Sequence, residues 1–301
     1  MASDKDKLQA LRREIDGIDD SIHDLIMERT RVVEKVRNAK SGDNIKIRPA
    51  REAEILYRLM DRHSGNFPKR ELGRMWRELI VATLRFEGPF SVAVSASGDE
   101  SGYWDLARDQ YGSFTPMTRH VSTPSVVEAV RNQDATVGIL PLPRPDDEER
   151  WWPLMVSAAP DMPRIIARLP FIPADGVLKV GPEALVICSV GQEKTGRDHS
   201  FLGIEAEEDI GFGTIDKALS QAGVSVVFNQ LWHDPNRPAA WIYLVEVDDF
   251  LDSEGPGIRH LKDELGPRIN RIVHLGGYAM PLSKADLEAD TLSDSAQEEG
   301  S

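Results

Sequence analysis

The sequence predicts a multidomain chain in which an all-α region is followed by an α/β region and then by an α+β region of ferredoxin-like type. Three observations carry this. Apolar residues recur three or four apart over residues 8–36 with no proline among them, the pattern of one long amphipathic helix. After Gly88-Pro89 the pattern changes to short apolar runs alternating with helix-length segments. Over residues 201–275 the predicted order is strand, helix, strand, strand, helix, strand.

The first helix is built on Leu8, Leu11, Ile15, Ile18, Ile22, Leu25, Ile26, Val32, Val33 and Val36, with only Gly17 to interrupt it. Among these sit Arg12, Arg29 and Lys40. At 1.5 Å per residue, Lys40 lies about 16.5 Å from Arg29 on nearly the same face, and Arg12 about 25 Å from Arg29 on the other side. Arg29 and Lys40 can lean toward one small anionic ligand, whereas Arg12 of the same chain cannot. If all three serve one ligand, Arg12 comes from a second copy, and a long helix with an apolar seam usually finds one. Taken alone, such a helix is most often a plain bundle element whose cations snorkel to water.

Arg48-Pro49 suits a helix start, with proline at the first helical position. Ala53, Ile55, Leu56, Leu59 and Met60 carry this second helix to near His63, before Ser64-Gly65-Asn66. Pro68 opens a third, with Leu72, Met75, Trp76, Leu79, Ile80, Thr83 and Leu84 inward, running to Glu87 before Gly88-Pro89. Arg51 and Glu52 fall in the first turn of the second helix, and Thr83 and Glu87 lie four apart on one face of the third. Residues 1–89 thus form an all-helical domain with little core of its own, expected to pair with a second copy.

Residues 90–190 read as strands at 90–96, 116–121 and 136–140, with helices at 103–111 and 125–132 between them and an exit through Pro141-Leu142-Pro143. Trp151 and Trp152 are expected to seal a helix against this small sheet or to face another domain, rather than to line a pocket. Residues 191–283 hold the strand-helix-strand-strand-helix-strand unit: strands at 201–205, 224–232, 240–247 and 269–275, helices at 213–222 and 258–265. Residues 284–301, acidic and polar, are expected to be a disordered tail.

Composition bounds the function. The single cysteine, Cys188, excludes a disulfide framework, and the absence of a signal peptide or a membrane-length apolar run makes a cytoplasmic protein without a membrane partner the expectation. A formal charge of -14 argues against a nucleic-acid partner. Residues 1–90 carry 19 Lys+Arg against 16 Asp+Glu, and the remainder 17 against 34, so the first part is +3 and the rest -17. A small acid would be held by a local cluster of cations in the first part.

Leu11-Arg12-x-x-Ile15-Asp16-x-x-Asp19, Glu28-Arg29, Lys40, Pro49-x-Arg51-Glu52 and Thr83-x-x-x-Glu87 together closely resemble the all-helical chorismate mutase domain over roughly residues 5–90. The resemblance implies an intertwined dimer through the N-terminal helices and the conversion of chorismate to prephenate in aromatic amino-acid biosynthesis, with no cofactor and no metal. It implies catalytic roles for Arg12 of the second copy, Arg29, Lys40, Arg51, Glu52, Thr83 and Glu87. Most bacterial relatives place glutamine at the last position; a carboxylate donates a hydrogen bond only when protonated, so activity is expected to favour mildly acid pH. Lys40 opposes this by favouring the charged form.

Residues 90–190 resemble a shortened, periplasmic-binding-like half of a prephenate dehydratase domain. The family's glycine-rich turn reads Ser95-Ala96-Ser97-Gly98-Asp99, the segment after the proline exit reads Leu142-Pro143-Arg144, and Glu183-Ala184 stands where the catalytic threonine is expected. A mutase without dehydratase activity is therefore expected. Residues 191–283, ending in Leu275-Gly276-Gly277-Tyr278, resemble an ACT regulatory domain, which implies an amino-acid effector. Its two effector segments read Gly211-Phe212-Gly213 and Asn229-Gln230-Leu231-Trp232. The alternatives are a bifunctional chorismate mutase and prephenate dehydratase, or a non-catalytic dimeric amino-acid sensor.

Overall fold

The computed structural model describes residues 4–39, 47–84, 88–96, 100–147, 150–173, 181–233, 236 and 240–288. The chain divides into two compact units: residues 1–46 with 82–89, and residues 47–81 with 90–301.

The first unit is dominated by α1 (Asp4–Ala39), which is continuous over its 36 residues. None of its side chains is buried. Leu8, Leu11, Ile15, Ile18, Ile22, Leu25, Val32 and Val36, the stripe expected to form a seam, are all exposed, Leu25 by 64%.

The second unit begins with α2 (Pro49–Arg62), which has proline in its first turn, and takes in α3 (Lys69–Leu84) as far as Val81. Ala53, Leu56 and Met60, one stripe of α2, are buried with Phe171, Ala279 and Leu282. The units divide after residue 89, as expected, and also around residues 47–81, because the apolar face of α2 is covered by the α/β part. On α3 the buried face is also turned from the expected one. Gly73, Arg77, Ile80 and Val81 are buried, while Met75 is 49% exposed.

The rest is one nine-stranded sheet among the described residues, in the order β2-β1-β3-β5-β4-β9-β6-β8-β7. β1 (Val92–Ser95), α4 (Glu100–Tyr111), β2 (Met117–His120), α5 (Thr123–Arg131) and β3 (Val137–Pro141) form a parallel three-stranded part through two helical crossovers. β5 (Ala184–Cys188) runs antiparallel to β3, and β4 (Arg164–Leu169) antiparallel to β5. Next come β6 (Asp198–Ala206), α6 (Phe212–Gln221), β7 (Val226–His233), β8 (Trp241–Val247), α7 (Pro256–Leu265) and β9 (Ile269–Ala279). Their spatial order β9-β6-β8-β7 places the last strand beside the first, as the ferredoxin-like expectation requires.

The two sheets expected for residues 90–190 and 191–283 are fused. β4, which has no counterpart in the expected strands, pairs with β9 through Ile165 and Gly276. Gly276 makes this approach feasible: its φ is +101°, and a Cβ there would lie 2.2 Å from the carbonyl oxygen of Ile165. Gly277 does the same on the other side, where a Cβ would lie 2.1 Å from the carbonyl oxygen of His199 on β6.

Residues 142–163 hold only a 3-10 turn (Trp152–Met155) among the described residues. Both tryptophans are buried in the shared core. The indole of Trp151 donates to the carbonyl oxygen of Pro141 at 2.9 Å, and that of Trp152 to Gln230 Oε1 on β7 at 2.9 Å. Trp152 therefore faces the ferredoxin-like part. At the C-terminal end, residues 284–287 depart from the expected tail: α8 (Lys284–Leu287) is capped reciprocally by Ser283 and Asp286, and Arg197 forks onto Asp286 at 3.1 and 3.0 Å. Residues 289–301 of that expected tail lie outside the described residues.

Candidate active site

Arg12 and Arg29 share the uninterrupted helix α1, so their separation of about 25 Å along the axis stands. Arg12 is exposed, while Arg29 is half-buried, and burial lowers its guanidinium pKa from the ordinary value. Thr83, in the last turn of α3, is buried at 9% exposure. Lys40 and Glu87 lie outside the described residues.

Arg51 and Glu52 are adjacent on α2 but face opposite environments. Arg51 is exposed and reaches Glu54 of its own helix at 2.9 Å. Such a pair in water stabilises little, which leaves the guanidinium available to another carboxylate. Glu52 is turned inward and is 7% exposed. Its Oε2 accepts from Arg77 Nη1 at 2.5 Å, and its Oε1 is buried with no hydrogen-bond partner. Arg48, before the proline, forks onto Glu193 at 2.9 and 3.3 Å.

Arg77 is the residue that the sequence pattern misses. It is 4% exposed, and its guanidinium lies 5.6 Å from the ring centroid of Phe171. Tyr111, fully buried on α4, completes the surroundings: burial, with the Glu52 carboxylate adding to it, raises its hydroxyl well above the usual tyrosine range. The available signal was the spacing Gly73, Arg77, Ile80, which puts an arginine on the same stripe as a glycine whose Cβ would lie 2.9 Å from Ile172. A buried ion pair with one carboxylate oxygen uncommitted is a fixed acceptor, suited to a hydroxyl donor.

The dehydratase-like part presents no such constellation among the described residues. Ala184, in the place of the expected threonine, is fully buried in β5 and has no hydroxyl. In the ferredoxin-like part, Gln230 is committed to Trp152 and to the carbonyl oxygen of Arg144 at 2.8 Å, and Trp232 packs against the shared core. No helix among the described residues is long and apolar enough to cross a membrane.

Comparison with known proteins agrees with the helical part. Residues 11–88 match the family model described as chorismate mutase type II. Two bifunctional chorismate mutase/prephenate dehydratases are similar. That of Stutzerimonas stutzeri is 36% identical over 97 residues, 30% of this chain and 27% of that protein. That of Pseudomonas aeruginosa is 29% identical over 147 residues, 46% of this chain and 40% of that protein. The matches thus span well under half the length of these relatives. A solved prephenate dehydratase from Arthrobacter aurescens, in complex with L-Phe, superposes with a TM-score of 0.48 at 10% identity, over 68% of this chain and 93% of that one. The chain carries a chorismate mutase type II domain over residues 11–88, followed by a prephenate dehydratase-like α/β region.

Proposed function

We propose that this protein is a chorismate mutase, converting chorismate to prephenate for aromatic amino-acid biosynthesis, and that it does so in the cytoplasm without dehydrating the product. The observation that carries this is the order Arg12, Arg29, Lys40, Arg51-Glu52, Thr83, Glu87 within the stretch matched by the mutase family model.

The rearrangement is pericyclic, with no proton transfer and no covalent intermediate. A protein accelerates it by restraining the two ends of a dianion and by placing donors on the ether oxygen whose bond breaks. Guanidinium forks match planar carboxylates. Arg29 and the Arg12 of a second copy take the two carboxylates, and Arg51 orients the pocket beside them. Lys40 donates to the ether oxygen, as does Glu87 when protonated. Glu52 accepts the ring hydroxyl. Thr83 packs against substrate. The exposed apolar stripe of α1 supports a homodimer through these helices, and an assembly of this kind is what brings a second Arg12 to the site.

The missing hydroxyl at Ala184 and the shortened 90–190 region support a mutase without dehydratase activity. The strand order of the ferredoxin-like part and its Leu275-Gly276-Gly277-Tyr278 end support an amino-acid effector there. Incubating the purified chain with chorismate and resolving the products tests the proposal. Prephenate alone is expected; phenylpyruvate would assign a dehydratase, and unchanged chorismate would remove the activity.

A further inference from the structure

A cavity of about 600 Å³ lies beside β9, lined by Arg164 of β4, by the segment 250–254 and by Ile258 and Lys262 of α7. Its volume is in the range that takes a small molecule. It is lined by neither of the two segments, 211–213 and 229–232, to which the ACT resemblance points. We propose that this cavity binds a small organic carboxylate, with the carboxylate on Arg164 and the apolar part of the ligand on Leu251 and Ile258.

Arg164 is half-buried, and its Nη1 donates to the carbonyl oxygen of His274 at 2.8 Å. Among the described residues no carboxylate pairs with it, so most of its five N–H donors are uncommitted in a place partly withdrawn from water. A fork with one edge free is the geometry that a carboxylate completes. Burial lowers the Arg164 pKa from its ordinary value, as a guanidinium short of an anion should show.

His274 lines the same cavity, and its Nε2 is buried with no partner, a second polar atom for a ligand to satisfy. Leu251 and Ile258 supply an apolar wall and are both buried. The other charges in the lining set the charge of the ligand. Arg271 is committed to Glu205 at 2.7 Å, so Arg164 and Lys262 face Asp252 and Glu254. This balance favours a monoanion over a phosphate dianion, which the two carboxylates would repel. The inference does not depend on the mutase activity, and binding alone reads it out.

The experiment is titration calorimetry on the full chain with 4-methylpentanoate, with leucine, which adds only an α-amino group, and with inorganic phosphate. At least one of the two organic acids should bind with Kd below ~1 mM and phosphate should bind more weakly. Arg164→Gln should weaken binding by about tenfold or more. Lys262 is exposed on α7, so Lys262→Glu tests the site without touching the core and should weaken binding several-fold. Preference for leucine would place its ammonium against Asp252, and preference for 4-methylpentanoate would assign acids without an amine; each supports the carboxylate site. Absence of binding by both acids, tighter binding of phosphate, or unchanged affinity in Lys262→Glu would overturn it.

Discussion

Replacing Arg77 with methionine should be among the most costly single substitutions in the second unit. Arg77 and Glu52 are 4% and 7% exposed, and the pair is joined at 2.5 Å. Methionine keeps much of the volume and the contact with Phe171, so little of the effect is a cavity. What it removes is the Arg77 partner of a buried carboxylate whose other oxygen has none among the described residues. Breaking a buried pair from one side costs about 3–5 kcal/mol, because the charge left behind stays desolvated. Glu52→Gln retains an acceptor for Arg77 and should cost less, about 1–3 kcal/mol. The double variant Glu52→Gln/Arg77→Met should recover part of the loss, giving a coupling energy within the ~0.5–3 kcal/mol found for contacting residues. Urea unfolding followed by circular dichroism measures the totals, and hydrogen exchange across residues 49–62 localises the change to α2. Loss of under ~1 kcal/mol in Arg77→Met, or strictly additive single variants, would refute the pair as a buried, mutually dependent unit.

Three further outcomes follow from other groups. Burial, with the Arg164 charge adding to it, lowers the His274 pKa to about 4. Below the unfolded value of about 6.5 the unfolded chain binds a proton that the folded one refuses, so stability should fall between about pH 6.5 and 4, by up to about 3 kcal/mol. In urea melts across that range His274→Gln should be flatter, and an identical slope would remove His274 as its source. The Arg197 fork and the Ser283 cap hold Asp286 at about 2. The stability it contributes is full above about pH 4 and is lost as pH falls toward 2, so Asp286→Asn should lower protection of residues 281–288 at neutral pH, by about 1 kcal/mol, and differ little from wild type in strong acid. Glu87→Gln should flatten the pH profile of chorismate turnover, and an unchanged profile would take Glu87 out of the mechanism.

Much of this fold is legible in local pattern. α1 is a long periodic run free of proline, and α2, α4, α5, α6 and α7 fall close to where apolar spacing and turn residues put them. β4 is not legible, because Arg164 and Arg168 break up its apolar run, and its role depends on a pairing with β9 more than a hundred residues away. The joining of two expected domains into one sheet rests on that strand and on the bare backbone of Gly276, neither of which a local window weighs. The site divides in the same way. Arg12, Arg29, Arg51 and Glu52 stand out by order and spacing, whereas Arg77 does not, since an arginine beside Trp76 reads as the solvent face of α3. Its burial is explained only by Glu52, twenty-five residues earlier in the chain.

Mixing two inactive variants tests the shared mutase site most directly. Arg12→Ala and Arg29→Ala should each be nearly inactive as homodimers. After unfolding and refolding together, half of the dimers at random assortment carry one of each chain, and each such dimer has one site with both arginines, so about a quarter of wild-type chorismate turnover should return. A mixture as inactive as its components, beside a wild type that turns chorismate over, would contradict a site completed by the second copy; a wild type inert toward chorismate would contradict the mutase itself.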